Sequence, residues 1–443
     1  MQNVLWQQMP AFGLNSTDIE VLFSAKQYKQ RLLSLIAQAT TRIYLTALYL
    51  QDDEAGREIL TALHEASLAN PKMEVKVFVD YHRAQRGLIG ASSQEGNAKF
   101  YFDFAKEFDS NVQIFGVPVK AKELFGVLHA KGFVFDDTVL YSGASLNNVY
   151  LQQEQRYRLD RYFILKQQKL ADAMVGFLEQ NFVQSDAVPR LDLRPIPRLV
   201  EMKAAHKQLV KHLKTFQYEN VNSAVDGKIK ARLFCGLARR GNQLNRTIKQ
   251  LFESAQSELI LYTPYFNFPA PLLRTLAKKL KQGVKVTIVV GDKTANDFYL
   301  PPEEPFSKIG ALPYLYETIL HRFLERKHQY IESKQLNVYL WKDDNNSFHL
   351  KGVSVDKQLH LLTGHNLNPR AWGLDLENGI LLADKEGLLQ PDLEKEKQQI
   401  LAHCTQLTSY ADVETIDNYP DPVKKILGQA KRVKVDFIIK RFI

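Results

Sequence analysis

Helical and strand-like hydrophobic patterns alternate in the first part of the chain. Apolar residues recur every three or four positions over residues 25–39, which predicts an amphipathic helix. Residues 41–50 form a nearly continuous run of apolar and aromatic side chains, which is typical of a strand buried on both faces. A second helix is predicted over residues 56–69 and a second buried strand over residues 74–80. This part of the chain is therefore expected to adopt an α/β fold.

The same order of elements returns later in the chain. Helical patterns over residues 244–255 and 271–281 flank a buried-strand pattern over residues 257–266, and a further strand is predicted over residues 284–290. A repeated order of elements over such a distance indicates an internal duplication. We therefore expect two similar halves.

The boundaries of these halves follow from the segments between them. Residues 1–185 are expected to form the first half and residues 229–420 the second. Residues 186–228 connect them through a proline-rich loop and a basic helix near residues 199–216. Residues 421–443 are predicted to form a basic amphipathic tail.

Composition narrows the class of protein. The chain of 443 residues carries a net charge of +9, which favours a polyanionic partner, either nucleic acid or an anionic lipid surface. Its two cysteines, Cys235 and Cys404, are isolated, so we expect neither a disulfide framework nor a thiolate metal site, and we expect a reducing compartment. A secretory signal and a run of roughly 18 apolar residues are both missing from the sequence. A cytoplasmic location is therefore expected.

One short polar motif occurs twice. Its two copies are His129, Lys131 and Asp136, and His349, Lys351 and Asp356. Residues i and i+2 of a strand point to the same face, so each histidine is expected to project together with its lysine. Each aspartate lies five positions after its lysine and is therefore expected to point to the opposite face. We predict that the aspartates hold the motif in place by structural contacts and do not act as bases.

Further polar residues follow each copy of the motif. Gly-x-Ser-x-Asn-like elements supply candidate donors for phosphoryl oxygens, namely Ser145 and Asn147, and Asn366 and Asn368. The alternative for these four residues is the capping of turns. A histidine that acts on phosphorus also needs an acceptor for its second ring nitrogen. The candidates are Asp160, downstream of His129, and Glu377, downstream of His349, with an ordinary ion-paired carboxylate as the alternative.

These motifs resemble the signature of the phospholipase D superfamily, a doubled His-x-Lys-x4-Asp followed by a Gly-x-Ser-x-Asn-like element and an acid. The resemblance implies an α/β fold of two similar phospholipase D-like halves related by a pseudo-two-fold. Each half is a mostly buried mixed sheet flanked by helices, with the active site between the halves. The resemblance also implies that His129 and His349 converge on one phosphorus, with His129 as the nucleophile and His349 as the general acid/base. Lys131 and Lys351 supply positive charge, and neither a metal nor another cofactor is required.

Within the superfamily, residues 143–151 and 364–378 resemble the proteobacterial phosphatidylserine synthases. This resemblance implies transfer of a phosphatidyl group from CDP-diacylglycerol to L-serine through a phosphohistidine, at the cytoplasmic face of the inner membrane. Three alternatives stay open. They are a cardiolipin synthase-like phosphatidyltransferase or phospholipase D, a metal-independent nuclease with nucleic acid as its partner, and a non-catalytic scaffold on a membrane surface.

Two further segments bear on membrane contact. The helical pattern after Asp421 places Val423, Ile426 and Leu427 near one face with lysines elsewhere, which predicts binding to an anionic membrane. Packing of this face on its own protein is the alternative. Residues 299–335 are rich in proline and aromatic residues and are expected to form either a lipid-facing lip or a packed helical hairpin. A homo-oligomer is also expected.

Overall fold

The computed structural model describes residues 5–87, 96–218, 226–301 and 303–432. The chain divides into two compact units. Unit 1 comprises Met1–Asn245, Leu362–Gly364 and Gly373–Ala383, and unit 2 comprises Arg246–Leu361, His365–Trp372 and Asp384–Ile443. Each unit contains a mixed sheet with helices, so the α/β class predicted from the sequence is confirmed.

Helices and strands alternate along much of the described chain. The strands β1 to β18 are, in chain order, Phe12–Leu14, Ile19–Leu22, Arg42–Thr46, Glu74–Asp80, Val112–Val117, Gly132–Phe135, Thr138–Ser142, Arg158–Leu159, Tyr162–Lys166, Ile229–Leu237, Glu258–Thr263, Lys285–Gly291, Leu336–Trp341, Ser347–Phe348, Gly352–Val355, Leu359–Thr363, Leu376–Asp384 and Cys404–Leu407. The α-helices α1 to α13 are Ala25–Gln38, Glu54–Ala69, Tyr81–Gln85, Asn97–Phe108, Gln168–Leu178, Lys203–Leu213, Gln243–Ser254, Ala270–Lys281, Leu312–Arg326, His328–Glu332, Pro369–Gly373, Gln390–Leu401 and Asp421–Arg432.

Unit 1 is built on a seven-stranded mixed sheet with the order β2-β9-β7-β6-β3-β4-β5. Strands β3, β4 and β5 run parallel, and the other neighbouring pairs are antiparallel. Helices α1, α2 and α4 pack against this sheet and share one hydrophobic core with it. The same unit contains β1, β10 and most of β17, which lie side by side in that order.

Unit 2 contains adjacent strands in the order β16-β15-β11-β12-β13-β18, with β16 belonging to this unit up to Leu361. Strands β11, β12 and β13 run parallel, whereas β15, β16 and β18 pair antiparallel with their neighbours. The run β16-β15-β11-β12-β13 therefore has the order and directions of β7-β6-β3-β4-β5 in unit 1. This correspondence agrees with the repeat of elements in the sequence.

The buried strands form where the apolar runs are longest. Strand β4 has the predicted bounds. Val75, Val77 and Val79 on one face and Phe78 on the other are almost fully buried, as expected for a parallel strand covered on both faces. Strand β3 is shorter than predicted and ends at Thr46. Residues 47 and 48 still form backbone hydrogen bonds with β4, but residues 49–51 bond to Leu146 instead.

The division into units differs from the predicted boundary between residues 228 and 229. Strand β10 and residues 373–383 lie with unit 1, whereas the prediction assigned both to the second half. The physical reason is hydrogen bonding, because β10 lies next to β17 and residues 375–378 bond to residues 127–131. The loop over residues 186–198 contains no helix or strand, and α6 lies within the predicted basic helix.

The C-terminal helix α13 begins at the predicted residue. Val423 is buried against Tyr314 and Tyr419, and Leu427 packs on the same cluster. This part of the apolar face therefore contacts its own protein, which was the alternative to lipid contact. Residues 433–443 of the predicted tail lie outside the described residues. Residues 312–332 form the helices α9 and α10.

Two findings concern residue classes that the sequence singled out. Cys235 and Cys404 are free thiols, and burial raises the pKa of each to about 12. In the part of the chain that the structure describes, no helix is both long enough and apolar enough to cross a bilayer.

Candidate active site

Two carboxylates fix the backbone just ahead of the first motif. The amide of Val127 donates to Oδ1 of Asp375 at 3.0 Å, and the amide of Leu128 donates to Oδ2 of Asp80 at 2.9 Å. Both carboxylates are buried. Burial raises the pKa of Asp80 to about 6, although hydrogen bonds from backbone amides act in the opposite direction. The sequence analysis did not identify either residue.

The first motif does not lie on a strand, contrary to the prediction. Strand β6 begins at Gly132, one residue after Lys131, and Gly132 has a φ of 118°, which favours glycine. The amide of His129 donates to the carbonyl of Leu376 at 2.9 Å, so this segment bonds to residues far along the chain instead. In unit 2, β15 likewise begins one residue after Lys351.

The imidazole of His129 is held by a buried glutamate. Nδ1 of His129 lies 2.8 Å from Oε1 of Glu377, and the carboxylate is completely buried. Because Glu377 accepts the hydrogen at Nδ1, Nε2 of the neutral ring carries the lone pair. The expected pairing of Glu377 with His349, the nearer histidine in sequence, is wrong. Residues 373–383 belong to unit 1, which brings Glu377 to the first motif.

Lys131 is almost fully buried beside the downstream Gly-x-Ser-x-Asn element. Its Nζ lies 3.4 Å from Oγ of Ser145. Gly364 leaves room for this side chain, since a Cβ at Gly364 would lie 3.1 Å from Cγ of Lys131 and 3.8 Å from Oε2 of Glu377. His129, Lys131, Ser145 and Glu377 are therefore brought together within unit 1.

Asn378 holds the backbone of Lys131 from both sides. Its Oδ1 accepts the Lys131 amide at 2.8 Å, and its Nδ2 donates to the Lys131 carbonyl at 2.7 Å. The Tyr141 hydroxyl lies 3.1 Å from Oδ1 of Asn378, and Thr363 donates to the Asn378 carbonyl. The sequence analysis missed this residue, although it directly follows Glu377.

Asp136 binds the start of strand β3. Its carboxylate accepts the amides of Thr40, Thr41 and Arg42 at 2.8 to 3.0 Å, and both threonine hydroxyls donate to it as well. Burial acts to raise the pKa of Asp136, but these hydrogen bonds outweigh it and lower the pKa to about 2. The arrangement supports the predicted structural role.

Asp160 lies against the glycine of the first downstream element. It is 4% exposed, and a Cβ at Gly143 would lie 2.8 Å from its Oδ2. Its Oδ1 accepts the backbone amide of Arg161 at 2.9 Å. The carboxylate that bonds to Nδ1 of His129 is that of Glu377.

The second motif lies in unit 2. Lys351 is almost fully buried, and its Nζ contacts Nδ1 of His349 and lies 2.9 Å from Nε2 of the same ring. Asp356 accepts the amides of Gln256, Ser257 and Glu258, each at 2.8 Å. Burial opposes the effect of these bonds, but the net result is a lowered pKa for Asp356. Asp356 therefore matches Asp136 in its contacts.

The asparagines of the downstream elements divide into two groups. Oδ1 of Asn147 accepts the amide of Tyr150, and Oδ1 of Asn368 accepts the amide of Ala371, so both residues cap turns. Asn366 differs, since its Nδ2 lies 3.4 Å from the Tyr265 hydroxyl and its buried Oδ1 has no hydrogen-bond partner among the described residues.

Two exposed apolar side chains precede the first motif. Leu124 and Phe125, five and four residues ahead of His129, are 63% and 44% exposed. Over the described ranges, no group of three or more His, Cys, Asp or Glu residues is arranged to hold a metal ion.

Comparison with known proteins identifies the family. A family model described as "Cardiolipin synthase, PLD-like domain" matches residues 248–401. The chain is 46% identical to CDP-diacylglycerol–serine O-phosphatidyltransferase of Haemophilus influenzae, over 98% of this chain and 96% of the relative. It is 44% identical to PssA, the CDP-diacylglycerol–serine O-phosphatidyltransferase of Escherichia coli K12, over 98% of this chain and 97% of that relative.

A solved structure agrees with this assignment. The crystal structure of phosphatidylserine synthase from Haemophilus influenzae superposes with a TM-score of 0.95 at 44% identity, covering 99% of this chain and 98% of that one. The chain therefore belongs to the CDP-diacylglycerol–serine O-phosphatidyltransferase family of phospholipase D-like proteins.

Proposed function

We propose that this protein transfers the phosphatidyl group of CDP-diacylglycerol to L-serine and releases CMP. The observation that carries the proposal is the buried pair of His129 and Glu377 beside Lys131, in a chain 44–46% identical to two enzymes of that name. A histidine oriented by a carboxylate and accompanied by a buried cation is suited to attack phosphorus.

In the first step, Nε2 of His129 attacks the phosphorus that bears the diacylglycerol group. A P–N bond forms and the P–O bond to CMP breaks, with the electron pair leaving on the CMP phosphate. Glu377 stabilises the positive charge that develops on the imidazole. Lys131, with Ser145 beside it, offsets the negative charge on the non-bridging oxygens.

In the second step, the serine hydroxyl attacks the phosphohistidine. A P–O bond forms, the P–N bond breaks, and the imidazole of His129 recovers its lone pair. We assign His349 as the base that takes the hydroxyl proton, because an imidazole titrates near pH ~6.5 and exchanges protons at neutral pH. Lys351 contacts both nitrogens of this ring and supplies positive charge beside it.

The family model favours a second candidate, a phosphatidyltransferase with another acceptor, because its description names cardiolipin synthase. Both candidates would form the same phosphohistidine on His129, and they differ in the hydroxyl group that attacks it. The test is to incubate full-length protein with CDP-diacylglycerol in mixed micelles, and to supply L-serine, glycerol 3-phosphate, phosphatidylglycerol or no acceptor. CMP and lipid products are then measured.

Phosphatidylserine formed with L-serine, and no phosphatidyl product with the other acceptors, is the expected result. Product with phosphatidylglycerol but not with serine would establish the second candidate. Cleavage of DNA without CMP release would indicate a nuclease, and vesicle binding without any reaction would indicate a scaffold.

The lipid substrate requires access to a bilayer, and we propose that the protein acts at the cytoplasmic face of the inner membrane. The net charge of +9 favours an anionic leaflet, where each well-placed cation contributes about 1 kcal/mol. The exposed side chains of Leu124 and Phe125, with exposed Lys122 beside them, provide apolar and cationic contacts close to His129 in sequence.

A further inference from the structure

A buried arginine lies close to the first motif. Arg83 belongs to the short helix α3, directly after β4, and is 7% exposed. Its backbone amide donates to Oδ1 of Asp80 at 2.8 Å. Among the described residues, no carboxylate forms an ion pair with its guanidinium, and the buried Nη1 has no hydrogen-bond partner.

The remaining contacts orient the guanidinium without neutralising it. Nη2 of Arg83 donates to Oε1 of Gln51 at 2.9 Å, and Cζ lies 4.8 Å from the centre of the Tyr49 ring. Nε2 of Gln51 in turn donates to Oδ1 of Asn97 at 2.8 Å. Burial lowers the pKa of Arg83, but a guanidinium remains protonated at neutral pH. The cation is therefore fixed in place with a donor available.

Contacts through Asp80 place Arg83 next to the catalytic segment. The carboxylate that accepts the Arg83 amide through Oδ1 also accepts the amide of Leu128 through Oδ2. Leu128 directly precedes His129.

A second route of contacts runs through Gln51. The backbone amide of Gln51 donates to the carbonyl of Leu146 at 2.9 Å, and the amide of Leu146 donates to the carbonyl of Tyr49 at 3.2 Å. Leu146 follows Ser145, whose hydroxyl lies 3.4 Å from Nζ of Lys131. Both partners of the guanidinium thus bond to the element that carries Ser145.

Unit 2 provides an informative contrast. Lys293 also follows a parallel strand, β12, and its Nζ lies 3.0 Å from Glu317 and 2.7 Å from Glu414. A buried cation normally requires such partners, because its removal from water costs several kcal/mol. Lys293 has two carboxylate partners, whereas the guanidinium of Arg83 has none among the described residues.

We infer that Arg83 is an anion-binding group of the active site, and that its Nη1 donates to an oxyanion of a substrate. The inference rests on the proposed function, because both substrates of that reaction carry oxyanions, the diphosphate of CDP-diacylglycerol and the carboxylate of L-serine. Guanidinium groups bind either oxyanion through charge-assisted hydrogen bonds. A bound substrate supplies the negative charge next to this guanidinium.

The test compares Arg83→Gln and Arg83→Lys with the wild type in the full-length protein. KM and kcat are measured for both substrates, and ethanolamine, which is serine without its carboxylate, serves as a second acceptor. We expect Arg83→Gln to raise the KM of the bound substrate by about 10- to 100-fold. Arg83→Lys should cause a smaller rise because it keeps the charge.

The acceptors distinguish the two sources of the oxyanion. If Arg83 binds the serine carboxylate, Arg83→Gln lowers the preference for serine over ethanolamine by a similar factor. If Arg83 binds the diphosphate, the KM for CDP-diacylglycerol rises, CMP release without serine slows, and the preference is unchanged. Wild-type values for both KM constants and for the preference would overturn the inference.

Arg232→Gln is the matched control. Arg232 is a half-buried guanidinium over the Trp6 ring in the same unit, and its replacement should leave both KM values within about twofold. If Arg83→Gln does not fold, Arg83→Lys carries the same comparison. A wild-type protein that forms no phosphatidylserine would instead refute the proposed function, so the two failures are distinguishable.

Discussion

Nδ1 of His129 and Oε1 of Glu377 lie 2.8 Å apart, although 248 positions separate the two residues in the chain. This pair leaves Nε2 as the ring nitrogen of His129 that carries the lone pair, and it connects the first motif to a segment that follows the second motif. The carboxylate has no exposure to solvent. Replacement of Glu377 therefore tests the proposed role of His129 directly.

Glu377→Gln should lower kcat by at least about 100-fold with little change in fold, because the isosteric amide cannot stabilise the imidazolium of His129. Steady-state CMP release and trapping of the phosphohistidine measure the effect. Glu179→Gln, which alters a partly buried acid bonded to Lys76, serves as the control and should retain activity. Comparable rates for Glu377→Gln and the wild type would rule out this role.

His349→Ala should separate the two half-reactions. CMP departs as a phosphate that needs little protonation, whereas the serine hydroxyl requires a base. In a single-turnover assay we expect near-normal CMP release and little phosphatidylserine. Equal loss of both half-reactions would exclude this division of labour, and His129→Ala, which should abolish both, provides the comparison.

Asn378→Ala should lower kcat by about 10- to 100-fold, because both hydrogen bonds to the Lys131 backbone are lost and the ammonium group is no longer fixed. Asn111→Ala, which removes an exposed amide that donates to Pro71, is the control. Kinetics and thermal unfolding are measured together. A loss of stability without any change in kcat for the folded enzyme would contradict the positioning role.

Asp136→Ala should destabilise the protein by about 2–4 kcal/mol, because its carboxylate accepts five hydrogen bonds at the start of β3. The folded pKa of about 2 lies below the ordinary 3.8, so this stabilisation is present above pH 3.8 and is lost as pH falls toward 2.

Urea unfolding of Asp136→Ala and the wild type at pH 7 and pH 5 checks this expectation. The difference in unfolding free energy should be the same at both pH values, since both lie above the ordinary pKa. A difference that disappears at pH 5 would show that another group is responsible.

The double variant Leu124→Ser and Phe125→Ser should weaken binding to vesicles that contain phosphatidylglycerol by about 10-fold or more, because it removes two exposed apolar side chains. Cosedimentation measures the binding. Val200→Ser, at a residue that is 69% exposed, is the control. Unchanged sedimentation of the double variant would reject this surface, and truncation after residue 432 tests the tail separately.

The sequence predicted the elements whose signals are local. Strand β4 and the start of α13 have their predicted bounds, because an apolar run and an Asp-Pro start are visible within a few residues. Strand β3 is shorter than predicted because residues 49–51 bond to Leu146, a residue almost one hundred positions further along the chain.

The site was predictable by residue type but not by pairing. His129 and Lys131 stood out through the repeated motif, and Glu377 stood out as a downstream acid. Its partner could not be predicted, because sequence distance favoured His349 and the fold brings residues 373–383 to unit 1. Asp80 gave one usable signal, since it ends a buried parallel strand, where polar residues often serve a site.

The bond from Glu377 to His129 has a consequence for any attempt to divide the chain into fragments. A fragment that ended before residue 373 would contain the first motif but would lack the carboxylate that orients its histidine. Such a fragment should therefore hold His129 without a fixed tautomer, even if its seven-stranded sheet still formed.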